Sequence, residues 1–358
     1  MKNILIVTGH PAQIHNFRNL YFNLNKMGNK MYWVTTKKEI TLELLLKYSI
    51  DYYLLDKAGK TMMSKIIAFI KNNYLMYKYL RNNNIDLVVS RISPFIILPA
   101  WILRIKHIAF TDTETAGKVE WILSQFVTTL YTSNSFKKNL RKDQKRFNAN
   151  IELFYLHPNV YKPKGDSWDL LGLKSGEKYV IVRFVSWDAY HDRGISGLSY
   201  ENKIKAIHEI SKYAKVFISS EHNIPLEISG HAINIPIERM HDVLADAILF
   251  FGESATMASE AAMLGTPAIY IDEYGRGYTD EEAYYGLVFN YRSSKMEQER
   301  AIAKAVEILR NANIKNDIRS ILRKFMKSHI DPTEYFTWLI NEYPQSTKTI
   351  YNKNIYEE

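Results

Sequence analysis

Apolar positions in the first 160 residues cluster in short runs: Ile4–Val7, Met31–Val34, Tyr52–Leu55, Leu87–Ser90, Ile108–Thr111, Thr128–Thr132 and Leu153–Leu156. The segments between them, Asn16–Met27, Leu42–Lys47, Met62–Leu80 and Lys118–Gln125, carry helical patterns. Continuous apolar strands alternating with helices predict a parallel sheet covered on both faces. His157–Gly165, with two prolines and a glycine, interrupts the alternation and reads as a linker. The pattern then resumes. Strands are expected at Tyr179–Arg183, Val216–Ser219, Ala232–Ile235, Ala247–Phe251 and Ala268–Ile271, and helices near Glu201–Tyr213, Arg239–Ala245, Ala255–Leu264 and Glu297–Arg310. Asp317–His329 and Thr333–Glu342 close the chain as helices before a polar tail. The predicted fold class is α/β, with two Rossmann-like doubly wound domains, 1–160 and 161–335, and a C-terminal helix and polar tail over 336–358. In tandem, two such domains are expected to face a central cleft lined by loops that follow the strands.

Composition narrows the setting. A chain of 358 residues with 46% hydrophobic and 24% charged residues suits two folded domains. The absence of cysteine excludes disulfides, thiolate zinc sites and a cysteine nucleophile, and fits a cytoplasmic location. Met1–Gly9 reads as a strand and turn rather than a signal peptide, and Pro94–Leu103 is too short to span a bilayer and is broken by Pro99.

Charge is uneven. Residues 1–160 hold 23 Lys and Arg against 10 Asp and Glu, a balance of +13, whereas residues 161–358 hold 24 against 28, or −4. The basic half either meets an anionic partner, such as a phospholipid surface at the inner face of the membrane, a lipid phosphate or an acidic polymer, or is a solvated lysine-rich surface. Lys57–Lys78, where Tyr and Met stand among lysines, carries the same two readings: it rests on an anionic membrane or packs on the sheet. No recognition-helix or RNA-binding signature accompanies the charge, so nucleic acid is not an expected partner.

Candidate chemistry concentrates after the strands. In Phe250–Pro267 a strand ends at Phe251, Gly252 allows a turn with Glu253, and Ser254, Ala255 and Thr256 open an alanine-rich helix. Exposed amides and the positive end of the helix dipole make that turn an anion site. Glu260, farther along the helix, is placed to accept hydrogen bonds from ribose hydroxyls, while Gly265 and Pro267 end the helix. The alternative is a well-capped packing helix with Ser254 as its cap. Arg183 and Ser186 lie where the first strand of the second half ends. Arg183 either clamps a phosphate or makes a structural ion pair. In the first half, Thr8–Leu20 places His10 in a turn and His15 at the expected start of a helix, where the dipole favours a neutral imidazole. His10 either caps the helix, touches substrate or fills the loop. Asp112, on the polar loop Ala109–Gly117 with Glu114, is a candidate to orient His15, and Arg91 a candidate for acceptor or phosphate contact. No carboxylate or cysteine accompanies the two histidines at ligand spacing, so no metal is expected.

These motifs resemble known families. The order Glu260-Ala-Ala-Met-Leu-Gly-Thr-Pro267 is similar to the nucleotide-sugar site of GT-B glycosyltransferases, particularly the N-acetylglucosaminyltransferase that makes lipid II, and of the non-hydrolysing UDP-N-acetylglucosamine 2-epimerases. That resemblance implies diphosphate binding at Gly252–Thr256, ribose binding at Glu260 and base contacts near Ile237. Glu253 and Glu260 stand seven apart, not the eight of the two-glutamate retaining enzymes, which favours the inverting type. Pro11-Ala-Gln-Ile-His15 resembles the N-terminus of inverting UDP-glycosyltransferases, which implies that His15 is the general base for the acceptor. In the epimerases, carboxylates of the loop corresponding to Asp112–Glu114 work on the sugar itself. Gly9–Ala12, Asp112–Glu114, Leu156–Asn159, Val182–Ala189 and Gly252–Glu260 together resemble the family called domain of unknown function 354, over roughly residues 1–330. It implies a GT-B fold and a place in surface-polysaccharide synthesis. The resulting expectation is a metal-independent inverting glycosyltransferase that needs no cofactor and takes a nucleotide-diphosphate sugar, with a UDP-sugar the first choice, and a glycan or lipid-linked acceptor. The alternatives are a sugar-nucleotide 2-epimerase and a non-catalytic nucleotide-sugar-binding protein.

Overall fold

The computed structural model describes residues 1–56, 61–114, 117–184, 197–220 and 224–347. Ser186 and Lys57, named above, lie outside these residues, as do the last five positions of Val182–Ala189. The chain divides into two compact units, Met1–Val160 with Ile330–Glu358, and Tyr161–His329.

The first unit is built from β1 (Asn3–Thr8), α1 (Pro11–Lys26), β2 (Lys30–Thr36), α2 (Glu39–Lys47), β3 (Tyr53–Leu55), α3 (Met62–Asn82), β4 (Leu87–Arg91), α4 (Pro94–Ile102), β5 (Lys106–Thr111), α5 (Lys118–Ser124), β6 (Thr129–Ser133), β7 (Lys145–Phe147) and α6 (Leu153–Leu156). Its sheet is parallel in the order β3-β2-β1-β4-β5-β6-β7. Strands buried on both faces, such as Ile4, Leu5 and Ile6 of β1, explain the continuous apolar runs. Because crossovers are right-handed, α1 and α2 cover one face and α3, α4 and α5 the other. On the latter face Met76, Ile97 and Leu123 share one core with Leu5, Val88 and Leu130.

The second unit runs through α7 (Ser167–Leu171), β8 (Tyr179–Phe184), α8 (Tyr200–Ser211), β9 (Lys215–Ser220), α9 (Met240–Asp246), β10 (Leu249–Gly252), α10 (Ala255–Met263), β11 (Ala268–Ile271), α11 (Gly277–Tyr285), β12 (Val288–Tyr291), α12 (Lys295–Arg310) and α13 (Ile314–Lys327). Its sheet is again parallel, in the order β12-β11-β10-β8-β9.

Three expectations are corrected. Leu153–Leu156 is a helical turn and not a strand, its Leu156 amide donating to the Glu152 carbonyl at 3.0 Å. All four residues are buried, and a short apolar run buried on every side does not reveal its period. Ala232–Ile235 is half-exposed and contributes only the isolated bridge Ile218↔Ala232, lying between the 3₁₀ segment Leu226–His231 and Pro236. The second unit stops at His329 rather than 335, because α14 (Pro332–Asn341) packs in the first unit. Phe336 is fully buried there, with its ring centroid 4.8 Å from Phe110 and 5.4 Å from Phe154, and the Thr333 hydroxyl donates to the Phe154 carbonyl at 2.6 Å. Five elements went unanticipated: α4, β7, α7, α11 and β12.

Candidate nucleotide and acceptor sites

In the second unit the chain steps from β8 outward to β9, then returns to the other side of β8 to form β10. The strand order therefore reverses between β8 and β10, the switch point where sheets of this kind bind ligands at their carboxyl ends. Two predicted groups end there. Gly252 pairs in register with Arg183, and the Glu253 amide donates to the Arg183 carbonyl at 2.9 Å. A Cβ on Gly252 would stand 2.2 Å from that carbonyl oxygen, so only glycine lets the two strands meet before the turn. Ser254 caps α10, its Oγ accepting from the Met257 amide at 3.3 Å. Ala255 and Thr256 form the half-buried first turn, so their amides begin the helix beside the end of β8. At the far end Gly265, at φ +77°, takes the left-handed position, and the Thr266 amide reaches back to the Ala261 carbonyl at 2.9 Å. Arg183 extends from β8 to donate from Nη1 to Ser219 Oγ at 3.0 Å, a contact to a hydroxyl that holds the guanidinium along the strand ends.

The two glutamates of this loop have different surroundings. Glu253 Oε1 accepts from the Leu198 amide at 2.7 Å and lies 3.3 Å from Lys203 Nζ, with both side chains almost wholly buried. Burial lowers the Lys203 pKa, opposed by Glu253. Glu253 thus anchors the turn to α8 through the Leu198 amide and Lys203. Glu260 is 6% exposed and its Oε1 lies 3.0 Å from Nε2 of His241. His241 belongs to the first turn of α9, immediately after the 3₁₀ turn Ile237–Arg239. The pair ties the segment expected to read the base to the helix expected to hold ribose and phosphate. Sequence reading assigned no role to His241 or Lys203. Their partners lie 19 and 50 residues away, and only the packing of neighbouring helices shows the pairing.

In the first unit, His10 is the N-cap of α1, its Nδ1 accepting from the Ala12 amide at 3.3 Å. α1 begins at Pro11, so His15 stands in its second turn rather than at its start. The dipole effect expected at a helix terminus falls off within one turn. The His15 side chain is 8% exposed, its ring centroid 5.4 Å from that of Tyr155, and its Nδ1 3.5 Å from the Tyr48 hydroxyl. Asp112 does not orient it. Asp112 Oδ2 accepts from Arg91 Nη1 at 3.0 Å and Oδ1 from Nη2, a bidentate pair at the carboxyl ends of adjacent β4 and β5. Arg91, expected at an acceptor or phosphate, is likewise engaged by this carboxylate. Burial opposes both charges, but their mutual attraction and hydrogen bonds prevail, holding the Asp112 carboxyl below its usual range and raising Arg91. Beside them the Thr111 hydroxyl donates to Glu120, whose pKa burial raises. Glu114 is half-buried and accepts from the Lys137 amide at 3.4 Å. Among the described residues no group of three or more His, Asp or Glu side chains is arranged to hold a metal ion.

Comparison with known proteins bears on the fold. No protein-family model and no curated protein matches the chain. Solved structures do. A Listeria monocytogenes protein assigned as a UDP-N-acetylglucosamine 2-epimerase is similar at a TM-score of 0.73 and 13% identity, covering 99% of both chains. S. aureus MnaA in complex with UDP is similar at 0.71 and 11% identity over 100% of both. The spinosyn rhamnosyltransferase SpnG is similar at 0.59 and 10% identity, over 98% of this chain and 100% of its own. The fold is that of the GT-B class, with two parallel-sheet Rossmann-like domains.

Proposed function

We propose that this protein is an inverting glycosyltransferase that moves a sugar from a nucleotide-diphosphate donor, a UDP-sugar, to a hydroxyl of a glycan or lipid-linked acceptor in surface-polysaccharide synthesis. The observation that carries the reading is the β10–α10 turn. At the switch point of the second sheet, a glycine packed on the Arg183 carbonyl launches a serine-capped helix. The amides of Ala255 and Thr256, the helix dipole and the Arg183 guanidinium take the diphosphate, while Glu260, held by His241, takes the ribose and the turn at Ile237 takes the base. UDP or a UDP-sugar is named for two of the similar structures, and glycosyl transfer for the third.

In the proposed reaction the acceptor oxygen bonds to the anomeric carbon as the bond from that carbon to the β-phosphate oxygen breaks. The acceptor proton passes to the His15 imidazole, and the nucleoside diphosphate leaves with the bonding pair. Neither metal nor cofactor is required, because the helix terminus and arginine balance the developing charge. The Arg91 pair weighs against Asp112 as an acid–base group of an epimerase, because it keeps that carboxylate engaged, and leaves Glu114 as the loop's other carboxylate.

The test is to titrate UDP-sugars against the purified protein, then follow UDP release and anomeric configuration by NMR with a lipid-phosphate-linked glycan. Nucleotide binding with acceptor-dependent, inverted product is the expected result. Absence of nucleotide binding, or conversion of the sugar without acceptor, would overturn the reading.

A further inference from the structure

The first four turns of α3 leave most of their large apolar side chains in water. Met62, Met63, Ile66, Ile67, Ile70 and Tyr74 are all exposed, from 47% for Ile66 to 74% for Met62, while the buried residues of the helix are Ala68, Asn72, Met76 and Leu80. At about 100° per residue the six exposed side chains form one stripe spanning about 140°. The adjoining helices continue the pattern. α4 ends in exposed Trp101 and Ile102, and α5 presents exposed Val119, Trp121 and Ile122. Because α3, α4 and α5 cover the same face of the sheet and share one core, their outward sides belong to one surface of the first unit. Isolated exposed aliphatics are ordinary. Bulky ones concentrated on three neighbouring helices mark an interaction surface.

The charges on these helices indicate the occupant. α3 contains Lys65, Lys71, Lys78 and Arg81 and no carboxylate; α4 has no charged residue, and Arg104 and Lys106 follow it. On the wheel Lys65 and Lys71 flank the stripe on opposite sides. Lys71 is paired with Asp56 at 2.5 Å, both side chains remaining more than half exposed. α5 contributes Lys118 and Glu120, the latter accepting from the Thr111 hydroxyl. We propose that this face is an interfacial membrane-binding surface, on which the apolar stripe of α3 with Trp101 and Trp121 enters the headgroup region of an anionic phospholipid bilayer while the flanking lysines and arginines meet its phosphates. A second copy of the chain fits less well. Self-pairing of a helix that carries four cations and no anion would set like charges against each other, whereas anionic lipid complements them. The attachment is peripheral: among the described residues no helix is long and apolar enough to cross a membrane.

The inference stands on exposure and charge and is independent of the proposed reaction, so its test uses no sugar nucleotide. The full chain is mixed with vesicles of phosphatidylcholine alone, or with one third phosphatidylglycerol, and co-sedimentation is measured alongside tryptophan emission and light scattering without lipid. The expected result is binding to the anionic vesicles at least tenfold tighter than to the neutral ones, with a blue shift from Trp101 and Trp121. Ile66→Glu/Ile70→Glu should reduce binding tenfold or more, and Lys65→Glu should reduce it on anionic vesicles only. These side chains are exposed, so all variants should melt with wild type. Failure to bind anionic vesicles overturns the proposal, as does a dimer that Ile66→Glu/Ile70→Glu converts to monomer without changing vesicle binding; the latter assigns the face to a second copy.

Discussion

Oε1 of Glu260 lies 3.0 Å from Nε2 of His241, and each side chain is less than a tenth exposed. One residue lies in the helix that follows the Gly252 turn and the other in the helix that follows the Ile237 turn, so a single contact fixes two segments of the proposed nucleotide site relative to each other.

His241→Ala is therefore expected to weaken UDP binding about tenfold or more, the value of one hydrogen bond to a charged group. His241→Gln, which keeps a donor, should recover most of the affinity. Calorimetric titration of UDP against both variants checks this. Equal affinity in His241→Ala and wild type would mean that Glu260 is positioned without it.

Gly252→Ala tests the close approach beneath the same turn. The added methyl would sit 2.2 Å from the Arg183 carbonyl oxygen, a backbone atom fixed in the sheet, so β8 and β10 must separate. The expected cost is about 3 kcal/mol or more, at or beyond the upper end of ordinary overpacking. UDP affinity should fall with it. Urea unfolding gives the first quantity and titration the second; an alanine variant of unchanged stability would contradict the geometry.

How much of this could be read from sequence depended on the distance between partners. Gly252, Ser254 and the end of α10 were legible because a turn, a cap and a stop are local properties. The alternation of strands and helices was legible for the same reason. The pairing of Arg91 with Asp112 was not, since it follows from β4 lying beside β5, a fact of strand order. Nor was the return of α14 to the first unit, which depends on Phe336 finding Phe110 and Phe154 in space. The exposed stripe of α3 was hidden differently: a helix apolar on most of its circumference does not reveal which side faces the sheet.

The Arg91–Asp112 pair makes a prediction about pH. The folded state holds the Asp112 carboxyl below its unfolded value, so the pair stabilises fully above about pH 4, the unfolded value, and its contribution is lost as pH falls through the lowered folded value. With side-chain exposures of 12% and 21%, removing one partner should cost about 2–3 kcal/mol at pH 7, somewhat less than for a fully buried pair. Asp112→Asn should accordingly be less stable than wild type at pH 7, and the difference should shrink as pH falls through the lowered folded value. A stability difference that does not change with pH would assign the loss to packing rather than charge.

His15 carries the sharpest choice between chemistry and packing. Its ring lies against Tyr155 with Nδ1 near the Tyr48 hydroxyl, a setting that suits a buried structural imidazole, while 8% of the side chain still reaches the surface. If it is the base, His15→Gln, which preserves much of the volume and a polar contact to Tyr48, should lower the rate of acceptor-dependent transfer by about 10²–10⁴-fold and leave UDP affinity unchanged. The acidic limb of the wild-type rate profile, where the imidazole is protonated and unable to accept, should disappear in the variant. If His15 only packs, His15→Gln should lower the melting temperature and leave turnover per folded molecule intact. Asp112→Asn gives the contrast: since Asp112 is bound to Arg91 rather than to His15, its loss should change stability more than it changes the pH at which transfer falls off.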